Sequence, residues 1–249
     1  MFQINNPYVR ILAPENFREA LRLRSLLHPL QYYVTSDQPS LCPCCNGYNV
    51  CNDKTAFHLM NCVNGGAIYR HNLIQDALAK FLQEYGNSDD VVTTTPNIST
   101  IYYDLYHNQE TVEGPIKRAD LSFTRSNDLK TQYIDITISS VTRYHYYSGH
   151  ESNIHMLQEI ELEKLLQYER FPRLLESNCI IPFAFDSFGN MSPASVAFLN
   201  EFATAYNVGN GIVNSLKRKF TTLVLKGTTS MIINSRKRFL HSPRLHPRD

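Results

Sequence analysis

Three thiols and one imidazole near the N-terminus have the spacing of a metal site. In "LCPCCNGYNVCNDKTAFHLMNC" (41–62), two residues separate Cys42 from Cys45, and three separate His58 from Cys62. A tight turn can bring the first pair together and one helical turn the second, which supplies the four N and S ligands of a tetrahedral Zn²⁺. Because protein atoms would fill every position, we predict a structural zinc site.

Two further cysteines leave alternatives open. Cys44 could compete with Cys42 as a ligand, and Cys51 falls in the intervening loop. The whole group could also be reduced thiols without a metal. The N-terminal "MFQINNPYVR" lacks the layout of a signal peptide, so a metal site is favoured over a disulfide framework. The sequence has no run of roughly 20 apolar residues, so no membrane span is predicted.

Two aspartates in predicted strands could carry a second chemistry. Asp120 lies in "KRADLSF" at the start of one strand, and Asp135 lies inside "YIDITIS". A buried carboxylate is costly unless it is paired or binds a metal. If the strands form a hairpin, both carboxylates can reach one edge and make a hard-oxygen site for Mg²⁺, which can activate water. Alternatively, Asp120 caps a turn and Asp135 pairs with a backbone group or an arginine.

The helix predicted after these strands, at about 154–170, would bring further polar groups to the sheet. Glu161, Lys164 and Tyr168 share its predicted inner stripe with Leu157. Lys164 could orient an attacking water and neutralise developing charge. Its stem could equally pass along the core and place the ammonium in solvent. On an earlier helix Arg70 could point inward to a phosphate or an acid, or could be surface charge.

The elements that must position these groups follow from periodicity and turn residues. Helices are predicted at 13–30, at 69–86, at 154–170, from the Ser192 cap and Pro193 to 206, and from Gly211 to Leu225. Strands are predicted at 90–99, 119–124, 131–141 and 178–189, with a turn at 127–130. This order predicts an α/β fold with helices flanking a mixed sheet. We divide the chain into a helical lead-in (1–40), a CCHC-type zinc knuckle (41–66), an α/β domain (67–206) and a helical basic C-terminal extension (207–249).

The charges nearly cancel, with 24 Lys and Arg against 23 Asp and Glu, so net charge neither favours nor excludes nucleic acid. Basic residues do gather near the C-terminus, in "KRK" (217–219) and "RKR" (236–238). These runs are either a solvated surface or a contact for a phosphate backbone.

The ordered combination of motifs is more specific than any one of them. The knuckle is followed by "GGAIYRHNLIQDALAKFL", "KRADLSF", "YIDITISSV" and a helix with Glu, Lys and Tyr. Over roughly 40–205 the chain resembles the C-terminal region of non-LTR retrotransposon polyproteins, which carries a restriction-like endonuclease of the PD-(D/E)XK superfamily. The resemblance implies a restriction-endonuclease-like fold and a metal-dependent DNA nickase associated with reverse transcription.

The resemblance also implies roles for single residues. Asp120 and Asp135 would bind catalytic Mg²⁺ or Mn²⁺, and Lys164 would replace the superfamily lysine, whose usual position holds Thr137. Ala119 stands where a proline is usual. The supporting catalytic residues would be Glu161 and Tyr168, and the nucleic-acid contacts would be Arg70, His71, Lys117 and Arg118.

The expected partner is DNA, with RNA as an alternative, and no membrane. The expected location is intracellular, and nuclear for a eukaryotic retroelement protein. Two other functions stay open at this point: a catalytically inactive nucleic-acid-binding module with the same fold, and a zinc-stabilised domain for protein contacts.

Overall fold

A four-stranded mixed sheet organises the part of the chain that the structure describes. The structure is a computed structural model that describes residues 13–24, 42, 44–45, 57–106, 117–140 and 153–241. The strands are β1 (Val91–Thr94), β2 (Leu121–Thr124), β3 (Thr131–Ser139) and β4 (Ile180–Asp186). The helices are α1 (Pro14–Arg24), α2 (Phe57–Asn61), α3 (Ala67–Tyr85), α4 (Ile98–Tyr106), α5 (Asn153–Leu166), α6 (Pro172–Glu176), α7 (Pro193–Ala205) and α8 (Asn210–His241), with a 3₁₀ turn at Val63–Gly65.

The sheet order is β1-β2-β3-β4, with two antiparallel pairs followed by one parallel pair. This confirms the predicted mixed sheet flanked by helices. The β2–β3 hairpin turns where predicted, and Asp128 Oδ1 there accepts a hydrogen bond of 2.9 Å from the Lys130 amide. Parallel strands need a long crossover, and the chain between β3 and β4 carries α5 and α6.

The two faces of the sheet bury different layers. Ile134 and Ile136 of β3 belong to the larger core, which also contains buried residues of α3, α7 and α8. Tyr133 belongs to a second cluster with residues from the opposite layer, among them Tyr102 of α4 and Leu174 of α6. Because successive strand residues face opposite sides, Asp135 shares the face of Tyr133. The alternation of β3 therefore turns Asp135 towards the layer that holds α4, α5 and α6.

Helix α8 is longer than predicted, because it continues past Leu225 to His241. Gly227 and the two threonines after it have low helix propensity. In the structure Thr228 and Thr229 are fully buried. Packing of α8 against α1, α3 and the segment around α2 outweighs this local preference.

Two helices were not predicted. The stretch 90–99 was assigned to one strand, but β1 ends at Thr94, before Pro96, and α4 begins at Ile98. Asn97 caps the new helix by accepting a hydrogen bond of 3.2 Å from the Thr100 amide. The second is the short α6. Among the described residues, no helix is long and apolar enough to cross a membrane.

Candidate metal centre and acidic site

The predicted zinc ligands lie together. The ligand atoms of Cys42, Cys45, His58 and Cys62 are all within 4.8 Å of one another. Cys45 Sγ lies 3.3 Å from His58 Nε2, and Cys42 Sγ lies 3.9 Å from Cys62 Sγ. Three thiols and an imidazole at this separation fit a tetrahedral Zn²⁺. The cluster could therefore bind zinc.

Burial shapes the chemistry of this cluster. It raises the pKa of the Cys42 thiol to about 12 and also raises the pKa of Cys62. Thiolate is the form that binds Zn²⁺, so metal binding would release these protons. Cys44 lies outside the group of four, and its Sγ is 3.3 Å from Ser235 Oγ on α8. Cys51, the other alternative ligand, lies outside the described residues.

Asp135 is the centre of the second site, and it is only 4% exposed. Its Oδ1 accepts a hydrogen bond of 2.7 Å from Lys164 Nζ. Its Oδ2 accepts one of 2.7 Å from the Tyr168 hydroxyl and one of 3.2 Å from Lys117 Nζ. The predicted inner stripe of α5 thus does carry Lys164 to Asp135, and Tyr168 follows in the turn after the helix.

Asp120 contacts β3 at Ile136, the residue after Asp135. It directly precedes β2, and its Oδ2 accepts a hydrogen bond of 2.6 Å from the Ile136 amide. His71 Nε2 of α3 lies 3.1 Å from the same oxygen. Gln75, one helical turn later, donates to the Asp120 carbonyl at 2.8 Å. Helix α3 therefore fixes both the main chain and the carboxylate of Asp120.

The acids and bases around these two carboxylates affect one another's pKa. Burial opposes ionisation of Asp135, but the charge and hydrogen bond of Lys164 and the charge of Lys117 outweigh it and lower the Asp135 pKa. Burial and the charge of Asp135 raise the pKa of Tyr168, and Asp120 adds to the effect. Burial tends to lower the pKa of His71, but its hydrogen bond to Asp120 outweighs this and raises it. Asp120 and Asp135 thus belong to one electrostatic unit.

The other predicted site residues lie at different places. Glu161 Oε1 accepts a hydrogen bond of 2.6 Å from the Ala194 amide, so this carboxylate caps the N-terminus of α7. Arg118 is exposed and pairs with Asn97 in an isolated bridge. Lys117, which is predicted to contact nucleic acid, has its ammonium 3.2 Å from Asp135 Oδ2.

Arg70 is buried rather than offered to solvent. It is 2% exposed, and Nη1 donates to Thr228 Oγ1 of α8 at 2.8 Å. Nη2 lies 3.5 Å from the Ile138 carbonyl. Burial lowers the pKa of this guanidinium to about 10, which still leaves it charged at neutral pH. Arg70 thereby links α3, β3 and α8 next to His71.

A cleft of about 410 Å³ lies near both sites. It lies between the start of α3 and β3, and Asn61, Arg70, His71 and Thr137 are among its lining residues. Asn61 directly precedes the zinc-ligand candidate Cys62, and His71 contacts Asp120. The wall of the cleft therefore contains neighbours of both the Cys/His cluster and the acidic site.

Sequence reasoning missed Gln75 and Thr228 as partners of site residues. Gln75 lies one turn after His71 on a face otherwise buried in the core, and that spacing was the available signal. Thr228 lies beyond the predicted end of its helix, and no local pattern connects it to Arg70.

Comparison with known proteins identifies no family. No protein-family model matches the chain, and no curated protein matches it.

The carboxylates of Asp120 and Asp135 are of the type that binds Mg²⁺, since Mg²⁺ takes oxygen ligands and often only one or two carboxylates. Asp120 and Asp135 supply such oxygens from neighbouring strands. Among the described residues, Oδ1 of Asp135 has a single protein donor, while Oδ2 has two. A metal could therefore bind Asp135, but it would compete with a protein cation at either oxygen, Lys164 at Oδ1 and Lys117 at Oδ2.

Proposed function

We propose that the protein is a metal-dependent DNA endonuclease, a nickase with a restriction-endonuclease-like fold of the PD-(D/E)XK superfamily. The observation that carries the proposal is the buried Asp135 of β3, which contacts Lys164 and Tyr168 and lies beside Asp120, the residue before β2. A buried carboxylate with perturbed acid and base partners beside a cleft is typical of a catalytic site.

In this proposal each side chain has a defined task. Asp120 and Asp135 would hold Mg²⁺ or Mn²⁺, which lowers the pKa of bound water and stabilises charge on a phosphoryl group. Lys164 would orient the attacking water, and Tyr168 would keep the Asp135 carboxylate in place. Glu161 would support α7 rather than touch the reacting atoms, because its carboxylate caps that helix.

The zinc cluster would act as a structural element beside the nucleic acid. In the structure Met60, between the ligand candidates His58 and Cys62, packs against Ile232 of α8. The cleft would receive the phosphate backbone, with His71 at its acidic end and Arg70 at its wall. Exposed Arg118 and the basic runs of α8 would add salt-sensitive contacts. As a retroelement nickase in a eukaryote, the protein would act in the nucleus.

The test is nicking of supercoiled plasmid by zinc-loaded protein, with Mg²⁺ or Mn²⁺ against metal-free buffer. Wild type should nick only with the added metal. Asp135→Asn should abolish nicking at unchanged zinc content. Lys164→Met should lower the rate by about 100-fold or more, the usual effect of removing one group that stabilises developing charge. Asp128→Ala is the matched control, because Asp128 is an exposed acid in the β2–β3 turn. Nicking that survives Asp135→Asn would refute the assignment of this site.

A second candidate is a nucleic-acid-binding module with an inactive site. The observation that favours it is that protein donors already contact both oxygens of Asp135, while Thr137 stands where the superfamily has its lysine. Removing one partner of a buried ionic cluster is destabilising with or without catalysis, so stability does not distinguish the two candidates. This candidate predicts that Asp135→Asn leaves duplex binding, followed by fluorescence anisotropy, unchanged. Metal-dependent nicking would exclude it.

A further inference from the structure

Lys117 occupies a place that the proposed chemistry does not explain. Its Nζ lies 3.2 Å from Asp135 Oδ2 and 3.0 Å from Gln167 Oε1. The same ammonium lies 4.4 Å from the centroid of the Tyr168 ring, within the range of a cation–π contact. The side chain is only 18% exposed. Lys117 is therefore a largely buried cation within the proposed metal site.

Asp135 already has one close cationic partner without Lys117. Lys164 Nζ is 2.7 Å from Oδ1, so a single ion pair would neutralise the carboxylate. A carboxylate oxygen offers two lone pairs, and Oδ2 uses them for the Tyr168 hydroxyl and the Lys117 ammonium. A divalent cation that approaches Oδ2 would find the Lys117 ammonium in the position that the metal would occupy.

The local structure allows the ammonium to move while the main chain stays in place. The Lys117 amide donates to Ser99 Oγ at 2.9 Å, and its carbonyl accepts from the Ile98 amide at 2.9 Å. The first turn of α4 thus fixes the backbone. The lysine stem is a flexible four-carbon chain. Its contact with Asp135 is also longer than that of Lys164. Of the two cations on Asp135, Lys117 is therefore the one that we expect a metal to displace.

On the basis of the proposed function, we propose that Lys117 is the resident counter-ion of Asp135 in the metal-free protein and that a divalent cation displaces it from Oδ2. The displaced ammonium then pairs with a phosphate of the bound nucleic acid. Metal and nucleic acid consequently favour each other's binding, because each removes Lys117 from Asp135 or holds it away. Lys117 is a positioning residue in this scheme, and it keeps the metal affinity low until the substrate is bound.

The experiment measures Mn²⁺ binding to the zinc-loaded full-length protein by electron paramagnetic resonance of free Mn²⁺. Lys117→Met and Lys117→Gln should both bind Mn²⁺ at least about tenfold more tightly than wild type. That is the effect of removing one positive charge about 6 Å from a divalent ion even at the dielectric constant of water. Lys117→Arg keeps the charge and should retain the wild-type affinity. Lys130→Met is the matched control, since Lys130 is exposed in the β2–β3 turn.

A second arm adds a short DNA duplex. The duplex should tighten Mn²⁺ binding to wild type and should have a much smaller effect on Lys117→Met, which has already lost the competing charge. Equal effects of the duplex on the two proteins would contradict the proposal. So would equal Mn²⁺ affinities of wild type, Lys117→Met and Lys117→Gln in the first arm.

Asp135→Asn separates this inference from the function on which it rests. If Mn²⁺ binds through Asp135 but with the same affinity in wild type and Lys117→Met, the counter-ion role is wrong and the nuclease site stands. If neither protein binds Mn²⁺ in a way that Asp135→Asn abolishes, the metal site itself is wrong and both proposals fall.

Discussion

The crossing of α3 and α8 leads to a sharp stability prediction for Gly227→Ala. An ideal Cβ at Gly227 would lie 2.5 Å from Arg70 Cγ and 2.7 Å from Arg70 Cβ. Carbon atoms pack at about 3.5–4.0 Å, so the two helices would have to separate by about 1 Å. These atoms are close to the α3 backbone, and Thr228 holds the guanidinium, so the side chain has little room to turn away.

Two effects of opposite sign set the size of the change. Overpacking of a buried contact costs about 1–3 kcal/mol, and the upper end applies because backbone must move. Replacing glycine by alanine inside a helix contributes about 1 kcal/mol of stability. We therefore expect Gly227→Ala to lower the free energy of unfolding by about 2 kcal/mol.

Gly211→Ala is the matched control in the same helix, because nothing lies within 4 Å of its ideal Cβ. It should leave stability unchanged or raise it by up to about 1 kcal/mol. The assay is urea denaturation of zinc-loaded protein, read as a shift of the midpoint at constant slope. If Gly227→Ala stabilises the protein as much as Gly211→Ala does, Arg70 does not pack against Gly227.

Three further predictions concern other parts of the structure. His58→Ala should lower the zinc content measured by atomic absorption well below about one ion per chain, whereas Cys44→Ser should leave it unchanged, since Cys44 lies outside the group of four. Asp90→Asn should cost about 1 kcal/mol at neutral pH, because both its oxygens accept hydrogen bonds from backbone amides. The pKa of Asp90 is lowered, because these hydrogen bonds outweigh its burial. The stability that Asp90 contributes is therefore complete above the usual aspartate pKa of about 3.9 and is lost as the pH falls through the lower folded-state pKa. A difference in stability between wild type and Asp90→Asn that persists at lower pH would contradict this. Glu19→Gln should cost about 2 kcal/mol in a denaturant titration, because both Glu19 oxygens lie 2.7 Å from Arg236 Nη2 in a buried pair between α1 and α8.

The acidic site shows which contacts could be predicted from the chain. The hairpin followed from β-branched runs around a turn, and the stripe on α5 placed Lys164 towards the sheet. Both are local patterns, fixed by the period of a strand or a helix. The contact between His71 and Asp120 depends instead on how α3 packs across the sheet. No spacing along the chain specifies that packing.

Lys117 and Glu161 have contacts in the structure that their residue types did not predict. Lys117 was expected at a phosphate, and its ammonium lies on Asp135. Glu161 was expected near the reacting atoms, and it caps α7. A long charged side chain can reach several partners, and the nearest one is decided by tertiary packing rather than by its own helix or loop.

The sequence by itself determined the zinc-ligand candidates, the strand hairpin and the position of Asp135 on its strand. These features depend on residues a few positions apart, whose geometry follows from turns and backbone periods. Only the tertiary structure decided the full length of α8, the burial of Arg70 against it and the second cation on Asp135. Arg70 and Thr228 are 158 residues apart, and contacts of this kind exist only after the helices have packed around the sheet.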